Sequence, residues 1–99
     1  MKVNKNEILE ELIKKSMEYY KKGYRWKVYF GDGLDIFITT PKLEKFFYRV
    51  KINKKISLES YVEIEKERLE CLKIIEIIKR AYKHNLYFLL NSDFLEKLA

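Results

Sequence analysis

The stretch from Ser57 to Asn85 constrains this chain more than any other, because its apolar residues need cover on more sides than an ordinary surface helix offers. Ser57 suits an N-cap, Ile56 stands where it can staple against Tyr61, and Ser60 with Glu63 makes a second capping box. Leu58, Tyr61, Val62, Leu69 and Leu72 then recur at three- and four-residue spacing, the stripe of a helix laid on a core. From Ile74 the pattern widens. Ile74, Ile75, Ile77, Ile78, Ala81 and Tyr82 cover more than half the circumference and leave Glu76, Lys79, Arg80 and Lys83 as a narrow polar strip. Glutamates toward the start and Lys or Arg toward the end complement the helix dipole, and Asn85 suits a left-handed stop. One alternative stays open: Ile56, Leu58, Val62 and Ile64 alternate with polar residues as a strand would, which puts the helix start near Glu65.

Read as one helix, the 27 residues from Leu58 to His84 span about 40 Å. A compact domain of 99 residues has a radius of gyration of only about 13 Å. Either such a helix bends or its twice-buried end meets a second chain. The expectation is a homodimer with Ile74, Ile77, Ile78, Ala81 and Tyr82 at the contact, since a two-fold interface is the commonest way to cover such a surface.

The rest of the chain supplies the elements of an α+β fold in one domain, 1–99. Asn4 with Glu7 forms a capping box, Val3 can staple to Ile8, and Gly23 stops the helix after Lys21 and Lys22. Ile8, Leu9, Leu12, Ile13, Met17 and Tyr20 form its buried stripe. Tyr24 to Phe30 and Leu34 to Thr40 alternate with period two around Gly31, Asp32 and Gly33. A three-residue loop that pairs Phe30 with Leu34 puts both apolar sets on one face, which a two-residue Asp-Gly turn would not. The two glycines are not a phosphate-binding loop, for the Lys and Ser/Thr of that pattern are missing and no helix follows. Thr40 before Pro41 suits the cap of a short helix. Phe46, Tyr48, Val50 and Ile52 against Phe47, Arg49 and Lys51 predict a third strand ending at Asn53. Leu86 to Leu90 reads as an edge strand or a packed tail, and Asp93 with Glu96 opens a short last helix. The predicted architecture is an N-terminal helix, an antiparallel meander of three or more strands, a long helix and a short C-terminal helix.

Chemistry is sparse. The lone Cys71 rules out an internal disulfide and a cysteine-based zinc site, and it reads as a small packed residue. The single histidine, His84, sits where a helix end favours its positive form and has no partners for acid–base work. Three aspartates show no metal-ligand spacing, so no catalytic residue, metal or cofactor is assigned. The longest apolar run, Leu86 to Leu90, is far too short for a membrane span, and the expectation is a soluble intracellular protein.

Charge placement is the informative anomaly. Between Lys21 and Lys55 ten Lys or Arg face three acids, so this region carries the whole excess behind a net charge of +6. Strand alternation puts Arg25, Lys27, Tyr29, Phe37, Thr39, Phe47, Arg49 and Lys51 on the face opposite the core. Basic groups release counterions from phosphates and aromatic rings stack on unpaired bases, so this set is a candidate nucleic-acid surface.

In overall texture, with LECLKIIEIIKRAYK (69–83) and YRWKVYFGDGLDIFITT (24–40) as typical passages, the chain resembles the small proteins of filamentous viruses of thermoacidophilic archaea, the lipothrixvirus and rudivirus groups. A composition without glutamine and rich in Lys, Glu, Ile and Leu fits a hyperthermophile setting. The resemblance implies a product working in the host cell or virion with a host or viral protein as partner, and it assigns no functional residue. The expectation is a non-enzymatic interaction protein, with nucleic-acid binding by the basic aromatic face as the alternative.

Overall fold

The computed structural model describes residues 4–51, 57–60 and 65–99. Helix α1 (Lys5–Lys21) leads into a four-stranded antiparallel meander of β1 (Arg25–Phe30), β2 (Gly33–Thr39), β3 (Lys45–Lys51) and β4 (Ser57–Ser60). Helix α2 (Glu65–Lys83) follows, and two short 3-10 helices, Tyr87–Leu90 and Ser92–Lys97, close the chain. The α+β architecture is the one expected, with helices packed on one sheet face.

Both helices stop by the chemistry their sequences announce. The Asn4 side chain accepts a hydrogen bond from the Asn6 N–H at 2.9 Å and caps α1. At the other end Gly23 takes φ 101° while its N–H donates to Tyr20 O and that of Tyr24 donates to Tyr19 O. A Cβ on Gly23 would also meet Pro41 Cβ at 3.2 Å, so backbone angle and close approach both require glycine. Asn85 repeats the motif after α2 at φ 59°, with the N–H of Leu86 donating to Ala81 O at 2.8 Å. The staple positions Val3, Ile56 and Tyr61, with Ile52, Val62, Glu63 and Ile64, lie outside the described residues.

The hairpin has the expected register, with Phe30 opposite Leu34 and Trp26 opposite Ile38. Tyr24, Trp26, Val28, Leu34, Ile36 and Ile38 are buried beneath the helices. Phe30 is a correction: it has the right parity but lies at the end of β1, past the core, and is 62 % exposed beside Tyr82 and Tyr87. The Thr40–Pro41 segment is a tight turn rather than a short helix, closed by the Thr40 N–H donating to Glu44 O and the Glu44 N–H donating to Thr40 Oγ1.

The largest correction concerns the stretch that begins at Ser57. Ser57–Ser60 is not the first turn of a long helix but strand β4, with Leu58 opposite Tyr48 and Glu59 opposite Phe47. The outer edge of β3 presents unpaired backbone groups, and a strand satisfies them where a helix would leave them to water. Helix α2 therefore has 19 residues, about 28 Å, inside a body measuring 39 × 35 × 23 Å.

That shortening removes the structural argument for a subunit contact at the helix end. Ile74, Ile78 and Ala81 are 0 % exposed and Ile77 is 5 % exposed within the single chain. Packing of α2 against α1, β3 and the Tyr87–Leu90 turn seals them, so they cannot touch a partner while the fold is closed. Tyr82 is half-buried, with its ring 6.4 Å from Phe30 and 5.9 Å from Tyr87. Cys71 is buried as expected; removal from water, reinforced by Glu67, Glu70 and Glu44, pushes its thiol up to about 12. Across the helix pair, Lys15 and Arg80 hold the Glu11 carboxylate down at about 2.

The free edge of β1 is closed by the C-terminal segment. Ser92 Oγ accepts from the Trp26 N–H at 2.9 Å and donates to Trp26 O at 3.2 Å, while Asn91 Oδ1 accepts from the Val28 N–H at 2.9 Å. These side chains stand in for a neighbouring strand and block edge-to-edge pairing. Ser92→Ala should lower unfolding stability by about 1–3 kcal/mol, since it leaves a buried N–H without its acceptor. Urea unfolding measures this, and a loss below ~0.5 kcal/mol would mean that the tail does not hold the edge.

Candidate nucleic-acid interface

The sheet face away from the helices is built by parity. Once Trp26, Ile36, Ile38, Phe46 and Tyr48 are buried, their neighbours along each strand must point the other way. Strand register then sets these neighbours in rows: Lys27, Phe37 and Phe47 in one; Tyr29, Asp35 and Arg49 in the next; Arg25, Thr39 and Lys45 on the other side. Lys51 stands opposite Gly33 at the end of β3. Strand register thus places all eight sequence-predicted positions, Thr39 among them, on one face.

Three rings form its centre. Tyr29 meets Phe37 edge-on at 5.5 Å, and Phe37 lies 4.9 Å from Phe47 at 44°. Tyr29 is 57 % and Phe37 46 % exposed, far more than a core role would leave them. The rings touch across adjacent strands without being coplanar, so each offers its own surface, rather than a shared plane, to a planar ligand.

The cations do not all stand free. Arg49 holds Asp35 through Nε at 2.8 Å and Nη2 at 3.3 Å, and its guanidinium lies 5.3 Å from the Phe47 ring centre. Arg25 is folded back: Nη1 donates to Tyr20 O at 2.8 Å and to Tyr24 O at 2.7 Å, with the guanidinium 3.6 Å above the Tyr20 ring. Lys27 and Lys45, both exposed, make no ion pair among the described residues. They flank the rings on opposite strands and are the groups placed to meet phosphate.

Phe37 and Thr39 divide the face into two grooves. The groove on the β1 side encloses about 530 Å³ and reaches Lys27, Tyr29 and the C-terminal pair Ser92 and Asp93. The other, about 460 Å³, runs past Lys45, Phe47 and Arg49. Both are open grooves whose volumes lie in the range of ~300–1,000 Å³ found for small-molecule sites.

Three contributors escaped the sequence reading. Lys45 and Asp35 share parity with residues already chosen, so one more step along each alternation finds them. Asp93 has no local signal, because it arrives through the long-range bonds of Asn91 and Ser92 to β1. Among the described residues there is no group of three His, Cys, Asp or Glu that could hold a metal ion, and no helix long and apolar enough to cross a membrane. Comparison of the chain with protein-family models, with curated proteins and with solved structures gave no match.

Proposed function

We propose that the protein is a non-enzymatic binding module whose open sheet face takes single-stranded nucleic acid. The observation that carries this reading is the contiguous cluster of exposed Tyr29 and Phe37 with half-buried Phe47, flanked by two unpaired lysines, Lys27 and Lys45. Unpaired bases can lie on such rings whatever their sequence, while the lysines follow the backbone. A duplex keeps its bases stacked inside, where rings on a nearly flat face cannot reach them, so it gains only the charge attraction. The net charge of +6 supports association with a polyanion in either case.

Fluorescence anisotropy with labelled single-stranded and duplex DNA at about 50 mM salt tests the reading directly. The single strand should bind more tightly. Two lysine contacts predict a log–log salt slope near about −1.4, since each phosphate contact on a single strand contributes roughly −0.7. Equal affinity for duplex and single strand, or no binding to either, would overturn the reading. So would self-association that covers the face and leaves the rings unavailable to nucleic acid.

A further inference from the structure

We infer that the β1-side groove selects guanine, with Asp93 reading the base edge; this rests on the single-strand reading above. The groove combines the rings of Tyr29 and Phe37, set edge-on to each other, with donors, the Lys27 ammonium and the Thr39 hydroxyl, and one carboxylate, Asp93; Arg25 also lines it but is turned back onto Tyr20 O and Tyr24 O. Asp93 is exposed and makes no hydrogen bond or ion pair among the described residues. Its position is nonetheless fixed. The two residues before it are pinned to β1, Asn91 through the Val28 N–H and Ser92 through both backbone groups of Trp26.

A carboxylate beside this surface repels phosphate, so its productive contact with a strand is a donor on a base. An ionised Asp only accepts, and its two oxygens match two adjacent donors. Guanine is the one common base that offers such a pair, N1–H beside the N2 amine, and its O6 then falls toward donors such as Lys27 and Thr39. Adenine and cytosine present one amine beside a ring nitrogen that the carboxylate repels. Thymine and uracil place a single N–H between two carbonyls that do the same. Edge recognition of an unstacked base is the usual source of sequence preference in single strands.

The test measures affinities for a short oligothymidylate and for the same strand carrying one central guanine, adenine or inosine. One guanine should tighten binding about tenfold, as expected for a two-point base contact. Adenine should add little, and inosine, which stacks like guanine but lacks the N2 amine, should lose most of the gain. Asp93→Asn should collapse the guanine-to-thymine ratio toward one. An adenine gain equal to the guanine gain, or a ratio that survives Asp93→Asn, would overturn the inference while oligothymidylate binding that depends on Phe37 leaves the single-strand reading standing. No binding to any of the four strands would remove both.

Discussion

Alanine at both Phe37 and Phe47 should weaken single-strand binding more than any other change on the sheet face. Stacking one base on one ring is worth about 1–3 kcal/mol, so either single substitution should cost roughly 5- to 150-fold in affinity. The rings touch at 4.9 Å, and neighbouring sites couple, so the double variant should fall short of the product of the singles. Folding should be nearly unaffected: both side chains lie on the face opposite the core, and Phe37 already has half its surface in water. An anisotropy titration beside a urea melt separates the two quantities. Wild-type affinity in the double variant would show that the rings are not a binding platform, and a melt shifted by more than ~2 kcal/mol would mean that they belong to the core.

Charge and stacking predict different signatures on the same surface. Lys27→Ala or Lys45→Ala should flatten the salt slope by roughly 0.7 each, whereas Phe37→Ala should lower affinity at every salt concentration and leave the slope unchanged. Arg25 is the informative contrast. It belongs to the basic set by sequence, but its guanidinium is engaged by two backbone carbonyls and the Tyr20 ring, so it offers little to phosphate. Arg49 likewise brings Asp35 with it, and the pair is close to neutral as a unit.

What was legible in the sequence is what local chemistry decides. Asn4, Gly23 and Asn85 mark helix ends because capping involves only neighbouring backbone groups. The pairing of Phe30 with Leu34 follows from a period of two, where a slip of one residue would turn every apolar side chain to water. The candidate face was legible for the same reason, as the complement of the buried parity. Ser57–Ser60 was not, because the deciding partner is the edge of β3, and either of two local patterns could have answered it. The cover over Ile74–Tyr82 was also hidden. It comes partly from Leu86, Leu89 and Leu90, whose short run gives no address in the fold, and from α1 across the chain. Asp93 is hidden for the same cause, since side-chain bonds from Asn91 and Ser92 to a distant strand leave no periodicity.

The shortened helix makes a second large effect predictable, and it separates a sealed core from a subunit contact. Ile78 is 0 % exposed and sits in one cluster with Leu12, Ile36, Ile74 and Leu89. Ile78→Ala should therefore remove transfer free energy and leave a cavity, together about 2–5 kcal/mol. That is a large share of the roughly 5–15 kcal/mol that holds a domain of this size. Because the cover belongs to the same chain, the loss should be the same at every protein concentration. If Ile78 instead faced a second copy, the midpoint for the wild type would rise with concentration and the substitution would change the mass in solution, as mass action requires. Urea melts over a wide concentration range, with light scattering on both proteins, distinguish these outcomes. A concentration-dependent midpoint abolished by Ile78→Ala would mean that the closed monomer is not the species in solution.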